Sequence, residues 1–274
     1  MEDLRGGTAV ITGGGSGIGR GMALTFAAEG MNIVVADIEA GPAEAVALEA
    51  KEKGVRAIGV ACDVSKAASV EALADRAYAE FGRVNLLCNN AGVLVNKPLA
   101  DTTDADWQWI FSVNVNGVVY GVRSFLPRMR AQGSPAHIVN TASQAGLASI
   151  LGGGGGLGVY SASKYAVVAF SETLRHELAE EGIGVSVLCP GGVRTNIGSS
   201  ARNRPSELGG PAANPARQGP VPGTSPQGLE PLEVGQLVLA AVRANRGYII
   251  TQHENRGPIL ERFSNILESF AFGV

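Results

Sequence analysis

A doubly wound α/β fold, a parallel sheet with helices on both faces, is predicted here by two observations. From Thr8 to about Val193, short runs of consecutive apolar and β-branched residues alternate with longer stretches of helical periodicity. Strands buried on both faces must be apolar at successive positions, and strands alternating with helices make right-handed crossovers in a parallel sheet. The second observation is size: 274 residues fall within the range of a single α/β domain, which buries its core without staples.

Strands are expected at Thr8–Thr12, Asn32–Asp37, Arg56–Asp63, Val84–Asn90, His137–Ser143 and Gly184–Pro190. Helices are expected between them, at Gly17–Glu29, Ala43–Lys53, Ser69–Phe81 and in one run from about Ala105 to Arg130, with a further helix carrying Tyr160. Two segments break the alternation. Residues 152–158 are almost all glycine, and since no Gly-Lys-Ser/Thr follows, a loop accounts for them better than a phosphate cradle. The stretch after Thr195 is dense in proline and glycine and poor in large apolar residues. A structureless segment of that length predicts a substrate lid over residues 195–232. Beyond it, Glu233–Arg243 reads as a helix and Gly247–Thr251 as a last strand. Residues 256–274 form a C-terminal helix and tail, in which Ile259, Leu260, Phe263, Ile266, Leu267 and Phe270 have amphipathic spacing. That face needs a cover, from the chain's own body or from a second subunit.

A formal net charge of −3 offers no basic footprint for nucleic acid or an anionic membrane. No apolar run approaches the ~20 residues of a membrane span. Cys62, Cys88 and Cys189 are far apart, in apolar surroundings and without metal-ligand spacing, so reduced core thiols are expected and no metal site. The charged start, Met1 to Arg5, runs straight into the first strand and leaves no room for a signal peptide. A cytoplasmic protein with small-molecule partners is the expectation.

The first strand is followed by Thr12-Gly13-Gly14-Gly15-Ser16-Gly17-Ile18-Gly19, which opens a helix. Glycines there let the backbone approach a pyrophosphate, and the helix start supplies unpaired N–H groups. Asp37 ends the second strand about 20 residues on, where a carboxylate accepts from both ribose hydroxyls and repels a 2′-phosphate. Ile38 and Ser16 offer no cation for that phosphate, so NAD is preferred over NADP. Tyr160 and Lys164 stand four apart on one helical face. A neighbouring cation favours the phenolate, so Lys164 is expected to lower the tyrosine's pKa from about 10 and make it an acid/base. Such a pair also arises from a packed tyrosine beside a snorkelling lysine; its company decides.

That company is Thr12-Gly-x-x-x-Gly17-x-Gly19, Asn89-Asn90-Ala91-Gly92, Asn114, Ser143, Tyr160-x-x-x-Lys164 and Pro190-Gly191-x-Val193-x-Thr195. Together, over roughly the first 195 residues, these resemble the short-chain dehydrogenase/reductase family. The resemblance implies a single Rossmann-like domain with a seven-stranded parallel sheet and transfer of a hydride between a secondary alcohol or ketone and NAD. It implies Tyr160 as acid/base, Ser143 holding the substrate oxygen, Lys164 on the nicotinamide ribose, and Asn114 placing a water that links Lys164 to solvent. Gly13, Ser16, Gly17, Ile18 and Gly19 would cradle the pyrophosphate, and Asp63 and Val64 would meet the adenine. Asn90, with Ala91 and Gly92, would serve the adenosine side, and Pro190, Gly191, Val193 and Thr195 the carboxamide and phosphates. A homodimer or homotetramer is implied. The Ser143-to-Tyr160 interval is longer than the family's, leaving Ser149 as a substitute for Ser143. Alternatives are an NADPH-dependent ketoreductase of acyl or polyketide-like chains and a non-enzymatic NAD sensor. The lid and tail, through Thr195-Asn196-Ile197, Arg202-Asn203-Arg204-Pro205 and Gly228-Leu229-Glu230-Pro231, are also similar to bacterial dehydrogenases of benzylic alcohols in aryl ethers.

Overall fold

The structure is a computed structural model and describes residues 1, 3–133, 135–148, 156–211 and 228–272. Seven parallel strands form one sheet, in the order β3-β2-β1-β4-β5-β6-β7. They are β1 (Thr8–Thr12), β2 (Asn32–Asp37), β3 (Ala57–Ala61), β4 (Leu86–Asn89), β5 (Ala136–Thr141), β6 (Ile183–Cys189) and β7 (Tyr248–Ile250). In-register pairing of Val10 with Val34 on one side and with Leu87 on the other fixes the centre. After β3 the chain crosses back past β1 to β4, so strand order reverses there and a crevice opens beyond the carboxyl ends of β1 and β4.

The pleat divides the apolar strand residues between two cores. Ala9, Ile11, Ile33 and Val35 face the layer of α1 (Gly17–Ala28), α2 (Ala40–Lys51) and α7 (Pro231–Arg243), where they meet Met22, Phe26, Val46 and Val238. Val10, Val34 and Ala36 point to the other layer, α3 (Ala67–Phe81), α5 (Asn116–Ala131) and α6 (Gly158–Glu177), where Leu73, Phe125 and Leu174 cover them. This is why the sequence reads as unbroken apolar runs. On the first layer α1 and α7 are in close contact at Gly21, where a Cβ would lie 2.0 Å from the Pro231 carbonyl oxygen. Gly21→Ala is expected to lower the unfolding free energy by about 1–3 kcal/mol, the usual cost of overpacking, read as a shift in urea midpoint.

The elements differ from expectation mainly at their ends. The third strand stops at Ala61 because the Asp63 N–H turns to the Ser69 hydroxyl, at 3.1 Å, instead of a strand partner. The fifth stops at Thr141, and Ser143 caps a short 3-10 turn, Gln144–Gly146, by accepting from the Ala145 N–H at 3.2 Å. The single helix expected from Ala105 to Arg130 is two helices, α4 (Asp104–Asn114) and α5. They part at Val115, whose ψ of −59° accompanies a φ of −106°. Asn114 therefore ends a helix rather than sitting in the middle of one. The segment expected to be structureless is partly ordered: Ile197–Asn203 and Ser206–Leu208 are 3-10 turns, and Val193 bridges Leu229 in parallel. The remainder of the expected lid, 212–227, lies outside the described residues, as do Ser149 and most of the glycine run.

The C-terminal helix α8 (Arg256–Ser269) buries none of its residues, and Phe263, Leu267 and Phe270 are exposed. The three cysteines are buried and free. Among the described residues no helix is long and apolar enough to cross a membrane, and no cluster is suited to a metal ion. Of the histidines, His176 and His253 are exposed, while His137 is buried on β5 with Nε2 2.8 Å from the Ser186 hydroxyl. Burial first, then nearby positive charge, pushes His137 down from 6.5 to about 3. The folded protein thus resists a proton that the unfolded chain accepts, so this residue's contribution is intact above about pH 6.5 and falls away as pH drops toward 3. Urea midpoints measured between pH 7.5 and 5 are expected to fall less for His137→Gln, which carries no proton at either pH, than for the parent.

Candidate active site

The glycine loop between β1 and α1 is shaped for a close ligand. Gly13 and Gly17 take positive φ, 62° and 50°, which favours glycine. Gly19 packs under the loop, where a Cβ would fall 2.1 Å from the Gly13 carbonyl oxygen. Ser16 precedes α1 in an extended conformation and its side chain makes no capping bond, leaving the first-turn N–H groups open to an anion. Asp37, at the end of β2, points back at this loop: one carboxylate oxygen accepts from the Gly15 N–H at 2.9 Å and the other from the Glu39 N–H at 3.1 Å. Each oxygen keeps a lone pair for a further donor.

Across the crevice Asn90 follows β4. Its side-chain amide donates to the carbonyls of Thr12 and Gly13, at 3.0 and 3.3 Å, and its oxygen accepts from the Thr141 hydroxyl at 3.3 Å. The Thr12 hydroxyl accepts from the N–H groups of Asn90 and Ala91. Asn90 thus clamps the loop to β4 with its polar side chain. Asp63 is likewise occupied, accepting from the Ser65 N–H and hydroxyl and facing Lys66 at 3.2 Å. Burial raises its pKa, but the Ser65 and Lys66 bonds outweigh that and leave it lowered. Thr195 stands against the loop from the other side, with its Cβ 3.1 Å from where a Cβ of Gly17 would be.

Tyr160 and Lys164 lie on the first two turns of α6, whose start faces the same crevice. Lys164 is buried, its Nζ donating to the Thr141 carbonyl at 2.9 Å and lying 5.5 Å from the centre of the Tyr160 ring. Burial pulls it down to about 8, with the nearby Cys189 opposing the change. Tyr160 is buried too, and burial pushes its phenol up to about 12 against the lowering effect of a hydrogen bond with Ser143. In the chain alone, desolvation dominates the shift of the phenol, and the bond with Ser143 opposes it. The single Ser143 hydroxyl proton has a second acceptor in reach, the Pro190 carbonyl at 3.4 Å. Asn114 reaches the site from beneath, accepting from the Val93 N–H at 2.8 Å and donating to the Val93 carbonyl and the Ser163 hydroxyl. In this way α4 is tied to the segment after β4 and to α6.

One cavity of about 420 Å³ joins the two halves. Its walls include Gly13, Ser16, Gly17, Ile18, Asp37, Asp63 and Val64 at one end and Ser143, Tyr160 and Lys164 at the other. Asn90, Ala91, Gly92, Pro190, Gly191, Val193 and Thr195 line the middle, while Gly19 and Asn114 support the walls from behind. Sequence reasoning missed a third group: Trp109, Leu94, Leu157, Ile197 and Ser200 make the far wall beside Tyr160. Trp109 is packed inside, at 2% exposure, whereas Trp107 is on the surface, stacked on Phe111. Gln144, buried beside Ser143, donates to the Gln252 carbonyl at 3.0 Å, while Gln252 accepts from the Gly191 N–H at 2.8 Å, so the turn after β7 braces the Pro190-Gly191 wall.

A nicotinamide dinucleotide fits these residues. The uncapped helix start suits its pyrophosphate, the carboxylate at the end of β2 suits a ribose diol, and the phenol with its hydroxyl partner stands at the opposite end of the cavity.

Comparisons with known proteins agree with this geometry. The family profile for short chain dehydrogenases matches residues 7–206. The C alpha-dehydrogenase of Sphingobium sp. is 37% identical over 274 residues, covering 99% of this chain and 88% of its own. The 3beta-hydroxysteroid dehydrogenase 2 of Eggerthella lenta is 39% identical over 75% of this chain and 78% of its own. Among solved structures, a short chain dehydrogenase/reductase from Burkholderia phymatum in complex with NAD superimposes with a TM-score of 0.89 at 40% identity, covering 98% of this chain and 97% of that one.

Proposed function

The chain belongs to the short-chain dehydrogenase family, an oxidoreductase family, and we propose on that premise that it is a NAD-dependent dehydrogenase of secondary alcohols. The observation that carries the coenzyme choice is Asp37, whose two oxygens are held by backbone N–H groups at the edge of the glycine loop. A carboxylate fixed there accepts from ribose hydroxyls and repels a 2′-phosphate. Ile38 beside it is apolar, and Arg202 on the cavity wall is engaged by Glu39 at 2.5 Å.

When bound, the nicotinamide supplies the hydride acceptor or donor. The chain's own groups manage the proton. Tyr160 takes the proton from the alcohol in oxidation and returns it to the carbonyl in reduction. Ser143, bonded to the phenol, holds the substrate oxygen and favours the phenolate. Lys164, held by the Thr141 carbonyl, places a cation under the tyrosine and beside Gly92, where it serves the nicotinamide ribose. Asn114 ties the segment after β4, at Val93, to the Tyr160 helix, and a water beside it would link Lys164 to solvent. Gly13, Ser16, Gly17, Ile18 and Gly19 cradle the pyrophosphate, and Thr195 closes over them.

The far wall of Trp109, Leu94, Leu157 and Ile197 is apolar and aromatic, which suits a substrate with an aryl or alicyclic face. The resemblance of the lid and tail to dehydrogenases of benzylic alcohols, beside the likeness to a C alpha-dehydrogenase over 99% of the chain, supports a benzylic secondary alcohol in particular. Unburied Phe263 and Leu267 on α8 and Phe270 just after it support a homodimer or homotetramer, and free buried thiols support a reducing, cytoplasmic setting. The test is a panel of secondary alcohols with NAD and NADP, read by absorbance of the reduced nicotinamide. Turnover of benzylic alcohols with NAD and little with NADP is expected; a preference for NADP would overturn the coenzyme reading, and no turnover of any alcohol the substrate reading.

A further inference from the structure

Between Thr195 and Pro211 the chain passes along the cavity's edge as two 3-10 turns, and at Arg204 it is fastened to α4 by buried charge. Arg204 donates through Nη1 to Asp106 at 2.6 Å and through Nε to the Leu208 carbonyl at 2.5 Å. Its guanidinium also lies 5.1 Å over the ring of Trp109. The Asp106 side chain is fully buried and that of Arg204 is 13% exposed, unlike the surface ion pairs elsewhere. Asp106 has further partners: it accepts from Lys97 at 2.8 Å and from the N–H and hydroxyl of Thr103, the N-cap residue of α4. Burial opposes its ionisation, yet the bonds from Lys97, Thr103 and Arg204 hold its carboxyl well below the usual range. This is a permanently charged node where the β4–α4 loop, α4 and the 197–208 segment meet. A second tie reinforces it: the Leu94 N–H donates to the Ser200 hydroxyl at 3.0 Å.

The fastening bears on the reaction because of what it presses together. Trp109 and Tyr160 belong to one apolar cluster, against which Ile197, Ala201 and Leu208 pack from the fastened segment. Trp109, Ile197 and Ser200 line the cavity; Arg204 does not, and covers Trp109 from behind. A guanidinium forked between a carboxylate and a carbonyl while stacked on an indole is a task lysine cannot duplicate.

We propose that Arg204 is a positioning residue for the alcohol, clamping the 197–208 segment to Asp106 and Trp109 so that the wall facing Tyr160 has a fixed shape. The proposal rests on the dehydrogenase reading. Because the clamp acts on the substrate wall and not on the phenol or the nucleotide end, its loss raises the alcohol's KM and spares kcat and coenzyme affinity.

The test uses the full chain with Trp107→Phe, which leaves Trp109 as the only tryptophan of the two. On that background Arg204→Met, Arg204→Lys and the double variant Arg204→Met with Asp106→Asn are compared. The double variant avoids a carboxylate left short of partners, so a folding failure of the single variant does not end the test. Arg204→Met is expected to raise the alcohol KM about tenfold, on the order of one lost well-packed contact. Its kcat and NADH affinity by calorimetry are expected to stay within about twofold, while acrylamide quenching of Trp109 increases. Arg204→Lys is expected to fall between parent and Arg204→Met, and the double variant to share the raised KM. Unchanged KM and quenching would overturn the clamp, as would KM, kcat and NADH affinity all worsening together. A parent without turnover would overturn the function instead, and quenching alone would then decide the clamp: Trp109 no more accessible in Arg204→Met than in the parent would refute it.

Discussion

Tyr160→Phe is expected to lower kcat by about 10²–10⁴-fold, the usual worth of a positioned proton-transfer group, while the protein still folds and binds NADH. The substitution removes one oxygen and keeps the ring that packs with Val93, Trp109 and Val159. That oxygen is buried and bonded to Ser143, so its loss frees the serine hydroxyl without leaving a charge unpaired. Steady-state rates beside calorimetric NADH titration separate the two effects. A variant that turned over normally would remove Tyr160 from the chemistry, and one that also lost NADH binding would show that the ring, not the proton, had been the cause.

Asp37→Ser is expected to produce the largest change in coenzyme use. Asp37 is held by two backbone N–H bonds and presents its remaining lone pairs to the ribose side of the cavity. Hydrogen bonds to a charged group contribute about 1.5–3 kcal/mol each, so KM for NAD is expected to rise by about 10- to 100-fold. Removing the carboxylate also removes repulsion of a 2′-phosphate, so the ratio of kcat/KM for NAD over NADP falls further than kcat/KM for NAD does. With saturating NAD, kcat is expected to change little because Asp37 and Tyr160 stand at opposite ends of the cavity. An unchanged NAD-to-NADP ratio would show that coenzyme choice is made elsewhere.

The sheet was legible because strands covered on both faces leave a run of apolar residues that chance seldom produces, and β1, β2 and the last strand fall where those runs predict. Strand ends were less legible. Whether Asp63 continues β3 is decided by the Ser69 hydroxyl, and whether Ser143 continues β5 by its own cap on the next turn. The break between α4 and α5 carries no periodic signature, since both halves have helical spacing. It is the Asn114 bonds to Val93, 21 residues away, that hold the end of α4 in place. Motif residues were recognisable by type, but not what each one touches. Asn90 spends its side chain on the glycine loop, and Lys164 answers to the Thr141 carbonyl. The far wall was invisible for the same reason. Arg204 and Asp106 are 98 residues apart, and the only local hint was Asp106 at the third position after Thr103, a capping arrangement that accounts for an acid there without any partner in the lid.

The proton-carrying role assigned to Tyr160 is tested most directly by its ionisation, followed as phenolate ultraviolet absorbance against pH, with Tyr160→Phe subtracted. In the chain alone the phenol is expected to stay protonated to near 12, where burial places it. With NAD bound, the proton-carrying role requires an ionisation several units lower, coincident with the pH dependence of kcat/KM for the alcohol. A phenol that stays near 12 with the coenzyme in place, while the enzyme turns over at neutral pH, would contradict it.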